Sequence, residues 1–153
     1  MTYPEFFVAP MRQELTSLGV RELRTAAAVD AVLGRQLGQP GDQEGPTVMV
    51  VVNSVCGCAA GKARPGVAMA LQHQTKPEIV ATVFAGADVE ATERARGYFA
   101  GYPPSSPSIA LMRDGKLLWM LERRNIENQS AEMIAQNLTA AFDKYCAPAT
   151  VKA

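Results

Sequence analysis

Two cysteines separated by one glycine, Cys56 and Cys58, stand where an apolar β-branched run ends and a row of small residues begins. Sulfur acts as nucleophile or metal ligand only as thiolate. The chemistry open to such a pair is therefore thiol–disulfide exchange or metal binding. The run 48–52, the Cys-Gly-Cys and the small residues after it predict strand, tight turn and helix, with both thiols at the turn. There the unpaired N–H groups of the helix start and the positive end of its dipole stabilise a thiolate. Cys56, at the turn, is the expected nucleophile. Cys58, in the first helical turn and more covered, is the expected resolving or backup thiol.

The one-residue spacing is itself informative. Side chains two apart on a helix diverge. A Cys56–Cys58 bridge therefore needs a distorted backbone, which Gly57 is best able to supply. A strained bridge is easily reduced, so the dithiol or a mixed disulfide is the expected resting form. Lys62 and Arg64 add positive charge nearby, expected on a solvated face where salt screens it. Asn53 and Ser54 either hydrogen-bond the turn or only terminate the strand.

A metal site is the rival chemistry. A closed zinc site needs four ligands, and beyond the pair only Cys146 and the single histidine, His73, are at hand. Cys146 follows an apolar helix face and is expected as a partly buried free thiol. His73 is expected at the surface near a helix end. A redox-inert interaction module is the third reading; the paired cysteines argue against it.

The totals narrow the field. With 153 residues the chain can build one domain with a proper core. Fifteen basic and 15 acidic residues cancel, leaving no basic field for nucleic acid or anionic lipid. No apolar run approaches the ~20 residues of a membrane span. The N-terminal segment lacks a signal-peptide pattern, so the expected compartment is the cytoplasm. Three cysteines are too few for a disulfide-stapled scaffold, and in a reducing compartment a close pair is redox-active or metal-binding.

The elements that must position the thiols follow in order. Residues 5–18 predict an amphipathic helix with Phe6, Phe7, Met11, Leu15 and Leu18 inward, Pro10 offering an alternative start. Residues 19–23 suit a short edge strand. Thr25 caps a helix over 26–37 whose face holds Val29, Val32, Leu33 and Leu37. A turn-rich connection fills 38–46. The run 47–53 suits a central strand buried on both faces. In the helix after the cysteines Val67, Met69, Ala70 and Leu71 are apolar, and Pro65 should kink it. A strand over 79–85 and a helix over 88–99 come next, with Ala95, Tyr98 and Phe99 inward and the acids from Asp88 to Glu93 solvated at its start. Two strands, 108–113 and 116–122, meet at the Asp114–Gly115 turn. A helix over 130–145 turns Met133, Ile134, Leu138, Ala141, Phe142 and Tyr145 inward, and the tail beyond Cys146 frays. Alternation closed by a hairpin and a helix predicts an α/β fold with a mixed sheet between helices.

That order, with a cysteine pair after the strand of 47–53, resembles the thioredoxin fold. The resemblance implies a cis-proline just before the first hairpin strand, packed against the reactive cysteines. Pro107 has that place, with Pro103 and Pro104 as competitors. Its neighbours Ser106 and Ser108 would then offer main-chain groups to a bound substrate as an added strand. More closely, the chain resembles the bacilliredoxin family, on the Val-Val-Asn-Ser-Val-Cys-Gly-Cys-Ala-Ala-Gly of 51–61, the Ala-Arg-Pro of 63–65, the Thr-Val-Phe-Ala-Gly of 82–86, the Pro-Ser-Ser-Pro-Ser of 104–108 and the Asn-Leu-Thr-Ala-Ala-Phe-Asp of 137–143.

This likeness implies a bacterial thiol–disulfide oxidoreductase that removes bacillithiol from S-thiolated client proteins. Cys56 would accept the small thiol, and reduced bacillithiol would serve as co-substrate without any bound cofactor. A disulfide isomerase or general oxidoreductase using both cysteines is the alternative activity, and a Cys-x-Cys metal-binding module the non-enzymatic one. The chain departs from thioredoxin proper: Val50 stands where a buried acid is usual and Val55 where an aromatic is usual. The expected organisation is one thioredoxin-like domain over 1–153, with the core at about 19–146, an extra N-terminal helix at 1–18 and a tail at 147–153. Oligomeric state is left open.

Overall fold

The computed structural model describes residues 2–34 and 44–147. Leu37, most of the 38–46 connection and the tail beyond 147 lie outside the described residues. β2 (Thr47–Asn53) is buried at every position. Its neighbour β3 (Ile79–Phe84) runs parallel to it. On its other side β4 (Ser108–Arg113) runs antiparallel and carries β5 (Lys116–Leu121) at the edge. The two-residue β1 (Arg21–Glu22) pairs with β3 and completes the sheet order β1-β3-β2-β4-β5. A β-branched strand with both faces covered is what a central position demands.

Alternate residues of β2 feed two cores. Met49 and Val51 pack under α3 (Arg64–Ala70) and α6 (Ala131–Tyr145), with Val67, Ile134, Leu138 and Phe142. Val48, Val50 and Val52 face α2 (Ala26–Leu33) and α4 (Val89–Gly97), with Val29, Leu33, Ala91 and Ala95. This is the thioredoxin-like α/β fold, a mixed sheet between helices with an additional helix, α1 (Glu5–Thr16), ahead of it. Thr25 and Ser130 cap α2 and α6 through their hydroxyls, accepting from Ala28 N–H and Met133 N–H.

Several expectations are corrected. α1 begins at Glu5 and runs through Pro10 rather than starting there. Its buried face is Val8, Arg12 and Leu15, whereas Phe6 is 81% exposed and Phe7 and Leu18 are largely exposed. The reason is Arg12, which turns inward to meet Glu5, Glu22 and Asp88 at 3.0, 3.0 and 2.6 Å. Asp88 is consequently buried and paired, not solvated. Pro65 does not kink a helix interior. The chain passes from a π-helical turn, Ala59–Ala63, into α3, so that Pro65 lies in the first turn of the new helix, where its missing donor is tolerated. Gly66 then lets α3 approach α6, since a Cβ there would lie 2.7 Å from Ile134 Cγ2. Met133 is half-exposed, off the buried face of α6. A short helix, α5 (Arg123–Ile126), follows β5 without having been foreseen.

Candidate active site

The thiols lie where β2 ends and the helical segment begins. Asn53 is the last residue of the strand, and the backbone closes the turn through Ala59 N–H and Ala60 N–H, which donate to the Cys56 carbonyl at 2.9 and 3.2 Å. Side chains finish it. Ser54 N–H donates to Asn53 Oδ1 at 2.9 Å, and Cys56 N–H donates to Ser54 Oγ at 2.9 Å. Asn53 and Ser54 thus bond into the turn as well as ending the strand.

Arg64 holds this turn from beneath. It is 3% exposed, not on a solvated face as its charge suggested. Its Nη1 donates to Asn53 Oδ1 and to the Ser54 carbonyl, both at 2.9 Å, and its Nε to Glu14 Oε1 at 3.0 Å. Lys62 reaches away, donating to the Glu127 carbonyl at 2.6 Å.

Cys56 and Cys58 are free thiols and partly exposed, and Cys146 is partly exposed as well. Cys58 N–H donates to Cys56 Sγ at 3.4 Å. The Cys58 thiol donating to Cys56, then the backbone N–H groups of Cys58 and Ala59 and the charge of Arg123, hold the Cys56 thiol below its ordinary pKa against its own partial burial. Burial first, then its contacts with Cys56, push the Cys58 thiol up. The two sulfurs are therefore unequal, with Cys56 the more readily ionised of the pair. Gly57 is exposed, has an ordinary negative φ, and a Cβ there would meet nothing within 4 Å. In the dithiol form the glycine is not required by its own conformation.

A cleft of about 550 Å³ opens beside Cys56, with Ser54, Ser106, Tyr3, Arg96 and Arg123 among its walls. The Ser106–Pro107 peptide bond is cis, and Pro107 is buried just ahead of β4. The sheet explains the proximity: β4 pairs with β2 with Ser108 opposite Val52, so the loop before β4 lies beside the turn after β2. Ser106 reaches the cleft. Ser108 does not; it is 1% exposed and its hydroxyl donates to the Ser105 carbonyl at 3.1 Å. Val50 is fully buried among apolar side chains, so no acid lies beneath the thiols on β2.

Arg123 and Arg96 had escaped the sequence reading. Arg123 opens α5, and its Nη1 donates to the Ser106 carbonyl at 3.4 Å. Arg96, on α4, donates from Nη2 to the Ser105 carbonyl at 3.3 Å. Neither lies near the cysteines in sequence, and no local spacing marks them. His73 and Cys146 stay apart from the pair. His73 contacts Asp143 at 2.9 Å, and Cys146 caps the end of α6. Among the described residues no group of three or more His, Cys, Asp or Glu is placed to hold a metal ion. No described helix is long and apolar enough to cross a membrane.

A thioredoxin-like sheet presenting a Cys-Gly-Cys turn beside a cis-proline defines a thiol–disulfide oxidoreductase. Comparison with known proteins narrows the class. The family described as disulphide isomerase matches residues 3–146. A bacilliredoxin of Koribacter versatilis is 59% identical over 145 residues, covering 94% of each chain. One of Salinibacter ruber is 52% identical over 147 residues, covering 95% of this chain and 82% of its own. One of Staphylococcus aureus is 46% identical over 144 residues, covering 94% and 93%. The chain belongs to the bacilliredoxin family.

Proposed function

We propose that Cys56 attacks mixed disulfides between client proteins and a low-molecular-weight thiol, and that this thiol is bacillithiol, as the family's name suggests. The Cys56 thiolate bonds to the small thiol's sulfur, the S–S bond to the client breaks, and the client cysteine leaves as thiolate. A second molecule of the small thiol, as thiolate, then attacks the bound small thiol's sulfur; its bond to Cys56 breaks, the symmetric small disulfide leaves and the Cys56 thiolate is restored. Cys58 is the resolving or backup thiol, which this cycle does not require. Asn53 and Ser54 hold the backbone of the turn, Ser106 and Pro107 shape the wall along which the client docks, and Ser108 supports that loop from beneath through Ser105.

The observation that supports this most is the inequality of the two sulfurs, with Cys56 depressed and Cys58 raised. The test is mass spectrometry after incubation with a bacillithiol-modified protein. Cys56 in a Cys58→Ala variant should gain the small thiol while the client loses it; a Cys56→Ala variant that still strips the client would overturn the assignment. A second reading, disulfide isomerisation by the pair, is favoured by the family description matched above. It needs Cys58 to release trapped intermediates, so Cys58→Ala should abolish refolding of a scrambled disulfide protein while sparing small-thiol removal.

The same reading treats the chain as one domain working in the cytoplasm. A single cooperative unfolding transition shared by α1 and the sheet would agree with it, and two separate transitions would not.

A further inference from the structure

We propose that the cleft beside Cys56 selects an anionic low-molecular-weight thiol, with Arg96 and Arg123 receiving a carboxylate carried by that thiol. The proposal rests on Cys56 being the attacking sulfur. Among the described residues, the charged side chains in the cleft walls are these two guanidiniums, with no Asp or Glu beside them. In a chain whose formal charges cancel, that is a local excess. Consecutive carbonyls pin them, Ser105 for Arg96 and Ser106 for Arg123, so both are anchored on the loop that runs into Pro107.

Of the nearby acids, Glu127 pairs with Arg123 itself through Nε at 3.3 Å and answers part of its charge, while Asp88 is held by Arg12 and Arg24. Arg96 Nε is closed off from solvent, so Arg96 faces the cleft through its other atoms. Burial also works against its charge, with Glu93 as the opposing influence. A planar carboxylate is the acceptor that a guanidinium fork fits best.

The occupant is the small thiol rather than the client. The cleft has the volume of a small-molecule site and adjoins the sulfur that keeps the small thiol after the client departs. In the exchange step the Cys56 thiolate forms a bond to one sulfur of the disulfide and the other leaves as thiolate, so nothing further is consumed.

The experiment offers the reduced protein three symmetric disulfides: that of mercaptosuccinate (anionic), that of 2-mercaptoethanol (neutral) and cystamine (cationic). Mass spectrometry follows uptake on Cys56. An unassisted thiolate repels the anionic disulfide and favours the cationic one, so a preference for the anion must come from the protein. Wild type should take the anionic disulfide roughly tenfold faster than the neutral one at low ionic strength, losing most of that ratio at about 0.5 M salt. Arg96→Gln and Arg123→Gln should each cut the anionic-to-neutral ratio severalfold, and Arg96→Lys should keep part of it. Taking the ratio within each variant removes any change in Cys56 reactivity itself. A wild-type ratio of one or less, or a ratio that neither glutamine variant moves, overturns the proposal. That outcome with brisk uptake of the neutral disulfide leaves Cys56 intact as nucleophile. Uptake of none of the three fails at Cys56 and takes this proposal with it.

Discussion

Two parallel strands end side by side in this molecule, and each end is tied down by a buried arginine. At the end of β3, Arg12 meets three carboxylates, Glu5, Glu22 and Asp88, and lies over the Phe84 ring at 5.3 Å to its centroid. Its charge is answered in full, and the junction joins α1, β1 and the start of α4. At the end of β2, Arg64 divides its donors between neutral groups, Asn53 Oδ1 and the Ser54 carbonyl, and one acid, Glu14, which accepts from both Nε and Nη2. Here the backbone is fixed, and the positive charge that acts on the Cys56 thiol comes from Arg123. The first junction is finished structure; the second is a rigid frame with chemistry at its open side. Burying a charge is tolerable only with partners, and the identity of those partners decides which kind of junction results.

The sharpest break of that comparison is Cys56→Ser. It should reduce small-thiol transfer to background while leaving the denaturation midpoint nearly unchanged, because a partly exposed sulfur at the open junction carries little of the packing. At the closed junction the reverse should hold. Arg12→Met leaves Asp88 buried without its strongest partner, and should cost about 3–5 kcal/mol by chemical denaturation. Alkylation of Cys56 per folded molecule should change less than about twofold. Arg64→Met should fall between the two. It leaves the Asn53 and Ser54 acceptors unpaired, costing about 2–4 kcal/mol, and it also slows Cys56 because the turn loosens. If Arg12→Met and Arg64→Met slow Cys56 equally, the distinction between the junctions is wrong.

Smaller effects sharpen the electrostatics. Cys56 is ionised to lower pH than a free thiol, so its alkylation should already be rapid near neutrality and should level off below the ordinary thiol range, with Cys58 rising only at higher pH. Arg123→Gln removes an opposite charge from a half-exposed position, where screening is strong. It should shift the Cys56 profile modestly to higher pH and slow alkylation near pH 7 by about two- to fivefold. Alkylation of Cys58 ahead of Cys56 would reverse the roles assigned to the pair.

Legibility in the sequence followed how local each cause was. The β-branched run 47–53, the Asp114–Gly115 hairpin and the cap at Thr25 act within a few residues, and all stand where expected. α1 was read with the wrong face because aromatic residues were assumed to be buried. Its true inner face includes an arginine whose partners, Glu22 and Asp88, come from elsewhere in the chain. Pro65 was read as a kink because a π-turn, which resets where the helix begins, leaves no local mark in the sequence.

By itself, then, the sequence determined that a cysteine pair would stand at a strand-to-helix turn, since residue type, spacing and helix polarity act over a handful of neighbours. Only the tertiary structure decided which charges surround that pair. Arg64 turned inward, and Arg96 and Arg123 arrived from other elements once β4 lay beside β2. Electrostatic influence depends on distance through space, and separation along the chain carries no record of it.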